Sequence, residues 1–153
     1  MRIEIIDKLE DVTSFLTLVK RGADSAKEEL GFLPEKAYEE FALSGKLLVV
    51  TTVDGGEPKY GGHLMFGGIY PHAKIFQLFV DPQFRKMGIA GRLIGYLKER
   101  LIAHQWLSIK ARVADNLAAN DAWARMGFRV VKVRAGGSAR NRQINVRVLD
   151  LET

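Results

Sequence analysis

The way in which successive strands are connected changes once along this chain, near Val80. From Lys46 up to that point, runs rich in β-branched and aromatic residues are separated only by short turn signals, which is typical of hairpins. After it, apolar residues recur at helical spacing and lead to another apolar run, which is typical of a strand-helix-strand crossover. Hairpins join antiparallel strands, whereas a crossover within one sheet makes its two strands parallel. The sequence therefore predicts a mixed sheet whose strand direction changes beside the strand that ends at Val80.

The remaining elements fit around this change. A chain of 153 residues can bury one substantial core, so we predict a single domain over residues 1–153. The expected fold class is mixed α/β (α+β), with about seven mostly antiparallel strands and about four helices. The predicted strands are 2–6, 46–53, 59–69, 73–80, 107–113, 128–133 and 144–149, and the last two form a hairpin. The predicted helices cover 12–19, 34–45, 89–101 and 116–126.

Composition excludes several kinds of chemistry. The chain has no cysteine, which removes disulfides, thiolate metal sites and cysteine nucleophiles, and we expect no metal. Its 23 Lys and Arg residues against 18 Asp and Glu residues give a net charge of +5, which favours an anionic partner without identifying it. No window approaches the length of a membrane span, and charges interrupt the apolar N-terminus. We therefore expect a cytoplasmic protein with no membrane partner.

The turn after Val80 combines small residues with positive charge. The N-terminus of a helix offers N–H groups without carbonyl partners and a favourable dipole, and small residues let an anion approach them closely. The small residues are Gly88, Ala90 and Gly91, and the basic residues are Arg85, Lys86 and Arg92. This combination favours a diphosphate, with a solvated basic turn as the alternative. The Walker and dinucleotide glycine patterns are absent, which argues against a nucleotide triphosphatase or a dehydrogenase.

Two segments resemble the motifs of the GNAT acetyltransferase superfamily. The run from Val80 to Ala90 resembles its coenzyme A signature, in which Arg or Gln is followed by x-x-G-x-G or x-x-G-x-A. Its next motif, a helix ending in Gly-Phe, is matched by Asn116, Ala119, Trp123 and Gly127-Phe128. The resemblance covers nearly the whole chain. It implies a three-layer fold whose sheet is splayed between the strand ending at Val80 and the strand Leu107 to Val113.

The resemblance also implies that acetyl-CoA is the acyl donor. Pantetheine would bond to the backbone of the strand before the turn, the pyrophosphate would lie on the N–H groups of the turn, and Asn116 would lie near the pantetheine arm. The implied cofactor-binding residues are Leu78, Phe79, Val80, Arg85, Lys86, Met87, Gly88, Ile89, Ala90, Gly91, Arg92 and Asn116.

The groups that would move protons depart from the family. Gln77 stands where the family often has Glu, and Trp123 stands where it has Tyr, and neither side chain exchanges a proton near neutral pH. We predict that the N–H of Phe79 polarises the thioester carbonyl. His63 is the best remaining base because an unperturbed imidazole is largely neutral at pH 7, with a structural role as its alternative. Trp123 either orients the sulfur or is a packed core aromatic.

We therefore expect an acetyl-CoA-dependent N-acetyltransferase that moves an acetyl group to a primary amine by direct attack in a ternary complex. The alternative is a coenzyme A-binding regulator with little or no turnover, which the substitutions at Gln77 and Trp123 favour. A nucleic-acid partner is disfavoured because the basic residues are scattered along the sequence and no stacking platform is evident. A homodimer is left open.

Two segments are candidates for binding the amine acceptor, a small molecule or a peptide or protein amine. Phe32 lies between the first two predicted helices, where one branch of the family builds acceptor specificity, or it simply anchors the next helix. The loop from Arg134 to Arg142 is rich in arginine and glycine, so Arg140 and Arg142 could bind an acceptor carboxylate or phosphate. A solvated hairpin end is the alternative for this loop.

Overall fold

The computed structural model describes residues 1–30, 33–135 and 143–151. The strands are β1 (Arg2–Ile6), β2 (Leu47–Val53), β3 (Lys59–Ile69), β4 (His72–Val80), β5 (Ser108–Ala114), β6 (Arg129–Ala135) and β7 (Gln143–Asp150). The helices are α1 (Leu9–Thr13), α2 (Leu16–Ser25), α3 (Lys27–Leu30), α4 (Glu35–Leu43), α5 (Ile89–Ala103) and α6 (Ala119–Arg125). In this part of the chain, no helix combines the length and the apolar character needed to span a membrane.

The strands form one seven-stranded sheet in the order β1-β2-β3-β4-β5-β7-β6. The pairs β1/β2, β2/β3, β5/β7 and β6/β7 are antiparallel, and β4 and β5 are parallel. The parallel register matches His72 to Ser108, Ala73 to Ile109 and Lys74 to Lys110, all at the start of β4. The predicted mixed, mostly antiparallel sheet, its change of direction after β4 and the β6–β7 hairpin are therefore confirmed.

Two helices differ from their predicted bounds. The apolar repeat at 12–19 does not form one helix, because the chain breaks between α1 and α2 and α2 then continues to Ser25 through polar residues. Those polar residues are mostly exposed, whereas Val19 and Ala23 of α2 are buried. The helix predicted from Asn116 begins only at Ala119, because the preceding residues form a turn after β5. Polar surface residues carry little apolar periodicity, so sequence spacing could not set these limits.

The chain divides into two compact units. The first comprises Met1–Phe66 with Phe76–Tyr96, and the second comprises Gly67–Ile75 with Leu97–Thr153. The dividing points fall inside β3, β4 and α5 rather than in a linker. One domain over residues 1–153 stays a prediction.

The first unit has a core between its helices and the inner strands of its sheet. Residues of α1, α2 and α4 pack on apolar side chains of β2, β3 and β4. The buried members of this cluster include Val12, Val19, Tyr38, Ala42, Leu47, Val49, Tyr60, Met65 and Phe79. The carboxyl end of β4 is thus anchored in the core of this unit.

In the second unit, the side chain of Asn120 on α6 links the turn after β5 to β7. Asn120 Nδ2 donates hydrogen bonds to the carbonyl oxygens of Ala114 (2.8 Å) and Leu117 (3.0 Å). Its Oδ1 accepts from Asn145 Nδ2 and from Arg147 Nε, both at 3.1 Å. Asn120 therefore fixes the turn after β5 to the side of β7 that faces α6.

Candidate active site

The turn after β4 is fixed to the end of the strand by two side chains. The Asp81 carboxylate accepts a hydrogen bond from the Gln83 N–H at 3.0 Å and caps the short 3₁₀ helix Pro82–Phe84. The Arg85 guanidinium returns to the strand, where its Nε donates to the Val80 carbonyl at 3.2 Å. These contacts hold the chain in the path that leads to α5.

The first turn of α5 presents backbone N–H groups beside open space. The Arg92 N–H donates to the Gly88 carbonyl at 3.1 Å, which closes the first helical turn. The N–H groups of residues 89–91 precede that bond, and helix geometry gives them no carbonyl of the same helix. A Cβ added at Gly88 or at Gly91 would meet no atom within 4 Å. The site is therefore accessible to an anion at its backbone.

The backbone of this turn also keeps its charges at the surface. Gly88 has a φ of 76°, in the left-handed region that favours glycine, and Lys86 occupies the same region with a φ of 65°. The side chains of Arg85, Lys86 and Arg92 are exposed. Positive side chains and unpaired helix N–H groups together suit a diphosphate.

Phe79, at the end of β4, lies between two close glycine contacts. Its side chain is 4% exposed. A Cβ on Gly22 of α2 would lie 2.7 Å from the Phe79 ring, and a Cβ on Gly62 of β3 would lie 2.4 Å from the Phe79 carbonyl oxygen. Both distances are shorter than any real Cβ contact, so only glycine fits without a shift. The ring of Phe79 thus packs closely on α2, and its main chain packs closely on β3.

The direction of the Phe79 carbonyl bears on which N–H of β4 is free to polarise a thioester. This carbonyl faces β3, because Gly62 is its close neighbour. In an extended strand, the N–H and C=O of one residue point to the same edge, whereas those of the next residue point to the opposite edge. The Phe79 N–H is therefore directed at β3, and the N–H of Leu78 is the one expected at the other edge of β4. Sequence alone gave no means of choosing between these adjacent residues.

A chain of hydrogen-bonded side chains crosses the core of the first unit, and we call it the polar chain. It runs from Tyr60 to His63, Gln77 and Tyr38. Tyr60 Oη lies 2.6 Å from His63 Nδ1, His63 Nε2 lies 2.8 Å from Gln77 Oε1, and Gln77 Nε2 donates to Tyr38 Oη at 3.1 Å. An amide oxygen only accepts, so His63 Nε2 carries the hydrogen and Nδ1 of the neutral ring accepts from the Tyr60 hydroxyl.

Burial controls the protonation of this polar chain. His63 is 0% exposed, and burial lowers its pKa to about 4, against a smaller opposing effect of the hydrogen bond to Gln77. Burial also raises the pKa of Tyr60, with the charge of Asp81 next in importance and then Tyr38. His63 is therefore neutral at pH 7, but both ring nitrogens are engaged and the ring has no exposed edge. These surroundings disagree with its predicted role as the general base and favour a positioning role.

Folding stability is expected to depend on pH through His63. Its pKa is 6.5 when unperturbed and about 4 in the folded chain, so between these values the unfolded chain binds a proton that the folded chain does not. The free energy of unfolding has its full value above about pH 6.5 and decreases as the pH falls. Near pH 4 it is lower by about 3 kcal/mol. Urea unfolding across this range measures the slope.

His63→Gln removes the titrating group and should flatten the slope between pH 6.5 and 4. His104→Gln also removes one imidazole, at an exposed position, and should keep the wild-type slope. An unchanged slope in His63→Gln would show that folding does not lower the pKa of His63.

Two adjacent glycines of β3, Gly61 and Gly62, are the sequence feature that could have predicted the polar chain. Tyr60 and His63 are three residues apart, a separation that normally puts strand residues on opposite faces. The register with β2 shifts between Val50 and Thr51, which pair with Gly62 and Tyr60, so Gly61 forms a β-bulge. The bulge brings Tyr60 and His63 to the same face. A Gly-Gly pair inside a strand was the available clue, and sequence reasoning missed Tyr38 and Tyr60.

The other predicted site residues have varied positions. Trp123 is 9% exposed and packs edge-to-face on Phe128, with ring centroids 4.9 Å apart and an interplanar angle of 80°. This geometry agrees with the alternative of a packed aromatic. Asn116 is exposed in the turn after β5. Three predicted acceptor-binding residues lie outside the described residues: Phe32, Arg140 and Arg142.

A comparison with known protein families shows to which family this chain belongs. The family model of the acetyltransferase (GNAT) family matches residues 17–128 of the 153. The chain belongs to the acetyltransferase (GNAT) family. The matched span contains both motif segments and the turn before α5, so the predicted family and the predicted acetyltransferase enzyme are confirmed. No curated protein matches this GNAT chain.

Solved structures share the fold of this GNAT domain. The Ard1 protein from Thermoplasma volcanium has a TM-score of 0.82 at 18% identity, with 100% of both chains covered. A chain of the NatC complex, solved with Gag peptide and CoA, has a TM-score of 0.83 at 17% identity, covering 99% of this chain and 100% of that one. The ribosomal-protein-S18-alanine N-acetyltransferase from Escherichia coli has a TM-score of 0.73 at 16% identity, covering 99% and 96%. At these identities, the likeness shows the fold.

Proposed function

We propose that this GNAT protein is an acetyl-CoA-dependent N-acetyltransferase that acetylates a primary amine by direct attack in a ternary complex. The observation that carries the proposal is the open N-terminus of α5, where Gly88 and Gly91 leave backbone N–H groups accessible beside exposed basic side chains. Structural neighbours solved with CoA, such as the NatC complex, support coenzyme A as the ligand.

The donor binds along the end of β4 and onto the turn. The N–H groups of residues 87–91 hold the pyrophosphate, and the side chains of Lys86 and Arg92 add charge. Arg85 uses its Nε on the Val80 carbonyl, and its guanidinium has four further N–H hydrogens that can reach phosphate oxygens. The backbone of residues 78–80 bonds to pantetheine. Acetyl-CoA is a cosubstrate in this scheme, and the reaction needs no metal.

The reaction replaces the C–S bond of the thioester with a C–N bond and moves one proton from the amine. The neutral amine attacks the thioester carbonyl carbon, a C–N bond forms, the C–S bond breaks, and coenzyme A leaves as a thiolate. The Leu78 N–H, fixed in the strand before the reaction, stabilises the negative charge on the carbonyl oxygen. Phe79, the residue first predicted for that role, sets the path of the strand instead.

Water accepts the amine proton in this mechanism. His63 lies inside the polar chain with both nitrogens bonded, so it positions β4 through Gln77 and does not take the proton itself. Trp123 occupies the position of the family's tyrosine and is packed on Phe128. Its indole can donate a hydrogen bond but no proton, so the thiolate takes its proton from solvent.

Incubation of the purified protein with acetyl-CoA and a panel of amines tests the proposal. The panel contains peptides with free N-termini, amino acids, polyamines and aminoglycosides, and thiol release reports transfer. We expect acceptor-dependent release and an acetylated product by mass spectrometry. Tight acetyl-CoA binding without release for any acceptor would instead support the second candidate, a coenzyme A-binding regulator, which the absence of an acidic side chain at Gln77 and of a tyrosine at Trp123 favours.

A further inference from the structure

Basic side chains from β4, β5 and β6 gather on one face of the sheet in the second unit. Residues paired across neighbouring strands share a face. Lys74 pairs with Lys110, and Lys110 and Arg112 pair with Val148 and Val146 of β7. The same β7 positions, with Ile144, pair on their other side with Arg129, Lys132 and Arg134 of β6. We call this set of side chains the basic face: Lys74, Lys110, Arg112, Arg129, Lys132 and Arg134.

A β-bulge completes the basic face. Arg129 and Lys132 are three residues apart and would lie on opposite sides of a regular strand. The register with β7 shifts between Val130 and Lys132, so Val131 is the extra residue and Arg129 joins the same side as Lys132 and Arg134. The basic residues are scattered along the sequence, and the folded sheet brings these ones together.

Four members of the basic face interact electrostatically, and none of its members is fully buried. Arg112, Lys132 and Arg134 are exposed, and Lys74 and Lys110 are half-buried. The pKa of Lys74 is lowered, first by burial and then by the positive charges of Arg112, Lys110 and Arg134. Arg129 is paired with Asp150 at 2.7 Å. Mutual repulsion of this kind is relieved when a negatively charged partner binds.

The size and chemistry of the basic face indicate its partner. Neighbouring strands lie about 4.8 Å apart, so β4, β5, β7 and β6 span about 14 Å, more than one carboxylate or phosphate can neutralise. The strip between the two rows of cations is aliphatic, with Ile144 and Val148 of β7 half-buried and Val146 buried between them. Aliphatic side chains offer no surface on which bases stack, whereas they suit the alternating side chains of an extended peptide.

We propose that the basic face binds an acidic segment of a polypeptide acceptor. This inference rests on the proposed acetyl transfer, which makes the bound polypeptide an acceptor. It narrows the acceptor from amines in general to polypeptides with clustered Asp or Glu residues. Binding on the sheet face holds the polypeptide by charge. Electrostatic pairing of this kind sets specificity and association rate, and it weakens as salt rises.

A binding experiment without turnover tests this proposal. The probe is a short fluorescent peptide of alternating Glu and Ala, compared with the same peptide carrying Gln in place of Glu, and with single- and double-stranded oligonucleotides. The test variant is Lys110→Gln with Arg112→Gln and Lys132→Gln. The matched control is Lys8→Gln with Arg21→Gln and Lys36→Gln, which loses the same charge at exposed positions of the first unit.

We expect the wild type and the control to bind the acidic peptide with dissociation constants within about twofold of each other, and the test variant to bind about tenfold more weakly. Rising salt should weaken wild-type binding and reduce the gap between the variants. Equal binding by both variants, or no binding of the acidic peptide by wild type, would overturn the proposal. Tighter, variant-sensitive binding of an oligonucleotide would overturn it in favour of a nucleic-acid partner.

This experiment is independent of the enzymatic proposal. Acetyl-CoA affinity, measured by calorimetry on both triple variants, should equal that of wild type because none of the substituted residues lies in the turn before α5. Failure of peptide binding with intact acetyl-CoA binding removes only the basic face as a docking site. Failure of acetyl transfer with intact peptide binding removes only the enzymatic proposal.

Discussion

Gly62→Ala is expected to lower the free energy of unfolding by about 4 kcal/mol, near the upper end of the range for single substitutions. The added Cβ would lie 2.4 Å from the Phe79 carbonyl oxygen and 3.1 Å from the Val80 Cα. Both are backbone atoms, so relief requires β3 and β4 to separate. The φ of Gly62 is 157°, which also disfavours a side chain. Urea unfolding monitored by circular dichroism measures the loss.

Gly61→Ala is the matched control for this substitution. A Cβ on Gly61 would lie 3.4 Å or more from its neighbours, which is ordinary van der Waals contact. We expect a change of less than about 1 kcal/mol, because the same methyl group is added to the adjacent residue without a clash. Equal losses in the two variants would mean that the β-bulge, rather than the approach of β3 to Phe79, is the sensitive feature. For folded Gly62→Ala protein, the proposed mechanism predicts slower acetyl transfer, since a shift of β4 moves the Leu78 N–H.

Gly91→Glu is expected to weaken acetyl-CoA binding about 100-fold while leaving the protein as stable as wild type or more stable. A carboxylate in the first turn of α5 repels the proposed pyrophosphate, and at about 5 Å with an effective dielectric constant near 20 this costs about 3 kcal/mol. The same carboxylate favours the helix, because it interacts with the helix dipole and replaces glycine. Calorimetric titration with acetyl-CoA and urea unfolding measure the two effects.

Gly95→Glu controls for the charge and for the helix. Gly95 is one turn further along α5, and a Cβ there, as at Gly91, would meet nothing within 4 Å. We expect its acetyl-CoA affinity to fall by less than about fivefold, because the added charge is about 6 Å further from the anion site and screened by solvent. Unchanged affinity in Gly91→Glu would place the pyrophosphate elsewhere and remove the observation on which the proposed function rests.

The architecture followed from features that act locally in the sequence. The change from hairpins to a crossover at Val80 fixed the mixed sheet, and the apolar repeat from Ile89 to Leu101 located α5 within the observed bounds Ile89–Ala103. Helix N-termini bind anions through backbone groups, so the turn before α5 could be proposed as an anion site from small and basic residues alone. These signals depend on few distant contacts.

The polar chain and the basic face were not predicted, and the reason is the same for both. Each depends on a β-bulge, at Gly61 or at Val131, that reverses the alternation of side chains along a strand. Strand periodicity assigns Tyr60 and His63, and likewise Arg129 and Lys132, to opposite faces. His63 was therefore considered as an isolated base rather than as a member of a hydrogen-bonded chain. The choice between Phe79 and Leu78 also required the position of β3.

The path of the chain through its two compact units limits how the protein can be divided. The backbone leaves the first unit after Phe66, passes through Gly67–Ile75, and returns at Phe76 before leaving again after Tyr96. Neither unit is a continuous stretch of sequence, so no terminal truncation or simple gene fragment encodes either one. The turn that would hold coenzyme A and the face that would hold an acidic peptide are therefore gained or lost together when the chain is shortened, and they cannot be exchanged between proteins as separate modules.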